Sequence, residues 1–304
     1  MPASLPATIV RAIASRLERA LECGPLHYRP LRADGSVVGW LDDARVMQLA
    51  QHCDGFIVSD AAVEIASCEA GGGASTDACV RLTARVAPQI RRLAAARALT
   101  AWRNEVYGAR ERFEDPPAFL LERAAARFFG VRTYAAHANG LAGPREAPRM
   151  WVARRSASKA IDPCMLDNLV GGGIAYGNAV ADTLIKEAWE EAGIAQHLAR
   201  KATLESILDV HRPVDDGLQR ETIYAHDLWL PDDFVPANQD GEAVEHRLID
   251  LEEVARLLSN ESGPDVVTVD ATLVAADFLI RHGAISTTQP DGARLVQLVG
   301  RTRA

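Results

Sequence analysis

Residues 171–194 read Gly171-Gly172-Gly173-Ile174-Ala175-Tyr176-Gly177-Asn178-Ala179-Val180-Ala181-Asp182-Thr183-Leu184-Ile185-Lys186-Glu187-Ala188-Trp189-Glu190-Glu191-Ala192-Gly193-Ile194. A glycine-rich turn runs into a helix that stops at a glycine. Asn178 suits the N-cap, Asp182 lies near the positive end of the helix dipole, and Gly193 suits the left-handed position after the last turn. Glu187, Glu190 and Glu191 are spaced i, i+3 and i+4, which puts three carboxylates on one helix face. Like charges there repel, and a helix serving only as scaffold gains nothing from them. A hard divalent cation such as Mg²⁺ resolves the repulsion, because it prefers carboxylate oxygens together with water and phosphate. A bare E-x-x-E-E is otherwise a solvated acidic face. The glycines ahead of it, the basic Lys186 and the closing Gly193-Ile194 set it in a wider pattern.

Outward from this helix, the chain of 304 residues exceeds the usual size of one domain, so two unequal domains are expected. Toward the N-terminus the reading is a first amphipathic helix, a hairpin turned at Asp34-Gly35, a helix over 42–52 and an extended piece over 56–65. A glycine-rich loop at 71–75 follows, with Ser75-Thr76-Asp77 as cap of a helix reaching about residue 96, and then a further helix over 118–127. From Phe128 onward the segments turn β-rich. The boundary is placed there, giving an α+β domain over 1–127 and a second over 128–304. In the second, VRTYAAHANGL, RMWVARRS and ETIYAHDLWL read as strands, and 179–192, 251–258 and 267–280 as helices.

Composition sets limits on function. Hydrophobic residues at 48% and charged residues at 24% describe an ordinary globular chain. A net charge of −8 argues against a nucleic-acid binder, which needs clustered Lys and Arg. A small anionic substrate then needs a bound cation or a few placed basic residues. Five scattered cysteines without a C-x-x-C pair suggest neither zinc nor a disulfide framework and fit a reducing cytoplasm. No stretch approaches the roughly 18 apolar residues of a membrane span, and the N-terminal segment is too broken by charge for a secretory signal.

The 171–194 stretch resembles the Nudix box, G-x5-E-x7-R-E-U-x-E-E-x-G-U with U apolar. Asn178 stands where the general box has Glu, and Lys186 where it has Arg, two residues that are not equivalent at ion-pairing sites. Beyond the box, GWL (39–41), AWRNEVYG (101–108), FLLERAAARFFGVRTYAAHANG (119–140), MWVARRSASKA (150–160), MLDNLVGGGI (165–174) and VTVDATLVAADFLIRHG (267–283) are similar to one Nudix branch, that of the N-terminal half of fungal thiamine pyrophosphokinases. Where that branch has Pro-Gly, this chain has Pro163-Cys164.

The resemblance implies a Nudix α/β/α sandwich with a mixed sheet behind a smaller α+β domain that sets substrate specificity. It implies hydrolysis of thiamine diphosphate-like compounds, notably the oxidised forms oxothiamine and oxythiamine diphosphate, with Mg²⁺, or Mn²⁺, as cofactor. Glu190 and Glu191 would hold the metal, Glu187 would be a ligand or the base that activates water, and the Gly172 carbonyl a further ligand. Glu242 and Glu245 are the two candidates for a later acidic ligand. Arg155 and Lys159 would meet the diphosphate, and His137 and Asn139 would reach the cleft from the sheet. Trp40, Trp102 and Tyr107 are candidates to stack on the thiamine-like rings, with core packing as the alternative role. A nucleotide or nucleotide-sugar diphosphatase and a non-catalytic ligand sensor are the competing readings. The partner is a small diphosphate, not a nucleic acid or a membrane, and a homodimer is left open.

Overall fold

The computed structural model describes residues 4–22, 27–65 and 75–302. The first part comprises α1 (Ala7–Leu21), β1 (Tyr28–Ala33), β2 (Ser36–Asp42), α2 (Asp43–His52), β3 (Phe56–Val58), β4 (Val63–Ile65), α3 (Ser75–Ala95), β5 (Val106–Gly108) and β6 (Leu120–Glu122). β1 and β2 form the hairpin, turned by Asp34 and Gly35 at φ 46° and 80°. Asp42 caps α2 by accepting the Arg45 N–H at 2.9 Å. The extended piece over 56–65 is two antiparallel strands, folded back where Ser59 N–H donates to the Ala62 carbonyl at 2.9 Å. β4 runs parallel to β1, giving the sheet order β2-β1-β4-β3. The loop at 71–74 and the side chains of Ser75, Thr76 and Asp77 lie outside the described residues.

The helix expected over 118–127 is corrected. Leu120–Glu122 pairs antiparallel with Val106–Gly108, and only Arg123–Ala125 turns, as one 3-10 turn. Phe119 and Leu121 are buried while Leu120 and Glu122 are half-exposed. That period of two belongs to a strand, and the apolar run FLL conceals it.

The second part comprises β7 (Arg132–Ala142), β8 (Arg149–Arg155), β9 (Leu166–Asn168), β10 (Val170–Gly173), α4 (Val180–Ala192), α5 (Gln196–Ala199), β11 (Thr203–Val214), β12 (Gly217–Trp229), β13 (Ala243–Asp250), α6 (Leu251–Ser259), α7 (Val269–Arg281), α8 (Pro290–Val299) and β14 (Arg301–Thr302). The sheet runs β13-β8-β7-β12-β11-β14, with β10 beside β7 and β9 beside β8. β7 and β12 are parallel and β11 and β12 antiparallel, so the sheet is mixed. Ala135, Val210 and Ile223 face α1, α6, α7 and α8, and Tyr134, Ala136 and Leu228 face α4. Helices therefore cover both faces, in the α/β/α sandwich that the resemblance implies.

Two cores flank the boundary. Leu31, Leu41, Leu49, Ile90 and Leu93 close around Phe119, Phe128 and Phe129, each such buried side chain contributing about 1.5–3 kcal/mol. The first helix does not share this core: Ile13, Ala14 and Leu17 of α1 pack with α6, α7 and α8. Buried Arg16 of α1 donates to the Leu258 carbonyl at 2.8 Å and to Thr272 Oγ1 at 3.0 Å. The halves meet backbone to backbone at Trp40 N–H and the Phe129 carbonyl, 2.9 Å apart. A Cβ on Gly39 would lie 2.2 Å from the Phe129 oxygen, and one on Gly130 2.2 Å from the Trp40 oxygen.

Candidate active site

Between the halves lies a cleft of about 490 Å³. One wall comes from the first half, with Arg103, Glu105, Tyr107 and Arg123; the other comes from β10, α4 and two loops, with Lys159, Lys186, Glu187, Glu190 and Glu242.

The helix α4 ends as its glycine dictates. Gly193 is left-handed at φ 64° and ψ 23°, and the N–H groups of Gly193 and Ile194 donate to the Trp189 and Ala188 carbonyls at 2.9 and 3.0 Å. Its start is corrected by one residue. Ala179 is the N-cap and makes no side-chain cap, while Asn178 belongs to the preceding turn, its N–H on the Ala175 carbonyl at 3.1 Å.

The three carboxylates share a helix face but differ in depth. Lys186 Nζ lies 3.1 Å from Glu187 Oε1 and 2.5 Å from Glu190 Oε2, so lysine supplies an ion pair to both. Glu191 points inward, where its Oε2 accepts the Gly171 N–H at 2.8 Å and its Oε1 stands 3.9 Å from Lys159 Nζ. Lys159 also pairs with Glu242, which Arg103 reaches at 3.2 Å. Burial raises the pKa of Glu191 and of Glu187 and lowers that of Lys159, so each loses favour in its charged form. Lys186 moves the other way, because hydrogen bonds to Glu190 and Glu187 outweigh its own desolvation.

The glycine triplet answers to space, not torsion. A Cβ on Gly171 would lie 3.0 Å from the His137 ring, one on Gly172 2.3 Å from the Glu187 carboxyl carbon, and one on Gly173 1.9 Å from the Tyr107 hydroxyl. β10 thus lets an imidazole, a carboxylate and a phenol approach its backbone together.

The remaining candidates divide. His137 lines the cleft, with Nδ1 3.0 Å from Asn168 Oδ1. Asn168 Nδ2 donates to Asn139 Oδ1 at 3.3 Å, which makes Asn168 Oδ1 the acceptor and leaves the imidazole proton on Nδ1. Asn139 does not reach the cleft: it is 1% exposed and donates to Asp227 Oδ1 at 3.1 Å on the neighbouring strand β12. Arg155 lines the cleft, but its nitrogens are spent on Asp167 Oδ2 at 2.6 Å and on the carbonyls of Ile161 and Asp162 at 2.9 and 3.1 Å. It braces the loop that carries Lys159. Of the two later acids, Glu242 is at the cleft, whereas Glu245 sits on β13, 2.6 Å from Arg154 Nε.

Of the aromatic candidates only Tyr107 lines the cleft; Trp102 is exposed and donates to Asn104 Oδ1 at 2.8 Å, and Trp40 lies half-buried in β2. Arg123, which pairs with Glu105 at 2.7 Å and stands 5.7 Å from the Tyr107 ring centre, escapes a sequence reading because no motif marks it. Cys164 is left-handed at φ 64°, the conformation glycine takes without strain.

Among the described residues no three His, Cys, Asp or Glu side chains stand together as a ready ligand group, and the lysines lie between the carboxylates. The donor chemistry nevertheless fits a hard cation. Glu187 and Glu191 are carboxylates whose burial leaves their charge short of compensation, the condition a divalent ion relieves.

Residues 135–268 match the NUDIX domain, and residues 13–133 match a domain of unknown function, DUF4743. The chain is 38% identical over 204 residues to Nudix hydrolase 20, chloroplastic, of Arabidopsis thaliana, covering 66% of this chain and 52% of that protein. To Nudix hydrolase 24, chloroplastic, of the same plant it is 40% identical over 191 residues, covering 62% and 51%. An uncharacterized protein of Saccharomyces cerevisiae is 34% identical over 211 residues, covering 64% of this chain and 60% of that one. The chain thus spans little more than half the length of the relatives it matches.

Proposed function

We propose that this chain, through a Nudix domain preceded by a DUF4743 domain, hydrolyses a diphosphate linkage in thiamine diphosphate-like compounds, above all oxidised or damaged forms, giving the monophosphate and phosphate. The observation that carries the reading is the shared cleft: Glu187 and Glu190 of α4 stand on one wall, and Tyr107 and Arg123 from the first half on the other. A diphosphate end and a ring end of one small molecule have separate partners there. The thiamine class rests on the resemblance of the segments quoted above, and the residues before 128 form the specificity wall.

Glu187, Glu190, Glu191, the Gly172 carbonyl and Glu242 are the residues we assign to Mg²⁺ or Mn²⁺. When bound, the ion neutralises the diphosphate oxygens and polarises the phosphorus. Lys159 and Lys186, already among the carboxylates, turn to the phosphate oxygens. Glu187, its pKa raised by burial, takes the proton of the attacking water. The water oxygen bonds to phosphorus, the bridging P–O bond breaks and the monophosphate leaves. Arg155 acts through the loop it braces, and His137 through the Nδ1–H bond that fixes its ring.

Three free cysteines among the described residues, Cys53, Cys79 and Cys164, favour a reducing compartment, and we place the protein in the cytoplasm. Among the described residues no helix is long and apolar enough to cross a membrane. The test is phosphate release with Mg²⁺ from thiamine diphosphate, its oxo and oxy analogues, ADP-ribose and nucleoside diphosphates, beside Glu190→Gln. Preferential turnover of the thiamine analogues, lost in the variant, supports the assignment. Preferential turnover of nucleotides keeps the hydrolysis and discards the thiamine class, and no release from any of them favours a ligand sensor.

A further inference from the structure

A second cavity, of about 450 Å³, shares no lining residue with the cleft. The two lie at opposite ends of α7: Thr268 and Asp270 border the cleft, and Phe278 and Arg281 border the second cavity. Eleven residues at 1.5 Å rise separate Asp270 from Arg281 by about 17 Å.

Its walls are flat and aromatic, and each is already stacked. Arg145 places its guanidinium 4.4 Å from the Trp229 ring centre, and His282 stacks on Phe278 at 5.2 Å with 12° between the planes. The floor is held rigidly. Arg281 donates to both oxygens of Asp227, at 2.8 and 3.1 Å, and to Asp277 at 2.6 Å. Asp227 also takes Asn139 at 3.1 Å, and Asp277 takes the Ser206 hydroxyl at 2.9 Å. A buried network satisfied this fully keeps its shape.

Two features call for a ligand. Arg145 and Lys201 line the cavity, are exposed, and have no carboxylate partner among the described residues, in a chain of net charge −8. His282 Nε2 is buried with no hydrogen-bond partner. We propose that this cavity is a second ligand site, for a small planar aromatic ring that bears a phosphate or another anionic group. The ring stacks within the aromatic walls, and the anion meets Arg145 and Lys201. The volume lies in the range of ordinary small-molecule sites.

The test is calorimetric titration of the full chain with adenosine 5′-monophosphate, adenosine and ribose 5-phosphate. Arg145→Ala/Lys201→Ala and Trp229→Leu are compared with the cleft variant Lys159→Ala, and thermal unfolding establishes that each variant is folded. The proposal expects saturable binding of the monophosphate, at least about tenfold weaker for the fragments lacking ring or phosphate. It expects a loss of about tenfold or more in the Arg145/Lys201 and Trp229 variants and none in Lys159→Ala. Binding that is lost in Lys159→Ala and kept in the other two assigns the monophosphate to the cleft and overturns the proposal, as does the absence of saturable binding.

Discussion

The hydroxyl of Tyr107 occupies the space that a side chain at Gly173 would need, 1.9 Å from where its Cβ would stand. Tyr107 belongs to β5 in the first half and Gly173 to the strand that leads to the carboxylate helix. The two halves are thus fitted to each other at the cleft, and the fit is testable by trading volume between the partners.

Gly173→Ala forces the tyrosine or β10 to move, at a cost of about 1–3 kcal/mol in stability, and lowers hydrolysis. Tyr107→Phe in the same chain removes the clashing oxygen and restores part of both. A double-mutant cycle read by urea unfolding and by phosphate release is expected to show coupling. Additive effects would mean that the contact carries no constraint.

Glu190→Gln and Glu191→Gln are each expected to lower the rate by about a hundredfold or more, as the metal-holding role proposed for them requires. They part in stability. Burial raises the Glu191 pKa, so above the pKa of the unfolded chain its charge opposes folding. Without added metal, Glu191→Gln keeps an acceptor for the Gly171 N–H and raises the melting temperature at pH 8, whereas Glu190→Gln leaves it nearly unchanged. A lower melting temperature for Glu191→Gln would show that its pairing with Lys159 outweighs its burial.

The buried histidines are expected to withdraw stability on mild acidification, against the gain that Glu187 and Glu191 give as their raised pKa values are passed. Burial lowers the pKa of His226, which donates Nδ1–H to the carbonyls of Tyr224 and His137 at 2.9 and 3.2 Å, and it lowers that of His282 as well. A folded-state pKa below the unfolded value means that the unfolded chain takes up the proton first. The stabilisation is complete above about pH 6.5 and is lost as the pH falls toward the folded values. Between pH 7.5 and 5.5 the urea midpoint of the unaltered chain should move downward relative to that of His226→Gln; equal slopes in both proteins would remove His226 from the account.

Cys164→Gly is expected to stabilise the chain by about 1 kcal/mol, since a left-handed residue with a Cβ is strained and glycine is not. Thermal unfolding reads the gain. A decrease would show that the thiol makes a compensating contact.

What could be read in advance followed from how local its cause was. The α4 helix, its glycine stop and the hairpin at Asp34-Gly35 rest on periodicity and backbone freedom within a few residues, and these are written in the chain. The strand Leu120–Glu122 depends on Val106–Gly108 for its pairing, and β13, an edge strand with every side chain but Ala243 half-exposed or exposed, shows no clean alternation. The site divides in the same way. The spacing of Glu187, Glu190 and Glu191 puts them on one face, but that Glu191 turns inward to Gly171, that Glu242 and not Glu245 borders the cleft, and that Asn139 serves Asp227 follow from the sheet's register and packing. Arg123 joins the site only because the chain folds its first half over the second.

The seating of α1 among α6, α7 and α8 also has a consequence for biosynthesis. The helix leaves the ribosome well before these three partners, which begin at Leu251, more than two hundred residues later. At 5–20 residues per second the wait is on the order of tens of seconds. Through that interval the stripe of Ile13, Ala14 and Leu17 lacks its helical cover, while β1 to β6 can close their own core behind it. The nascent chain therefore carries a partly open apolar surface until α6, α7 and α8 arrive, and truncated products lacking those helices would be selectively captured by chaperones or cleared.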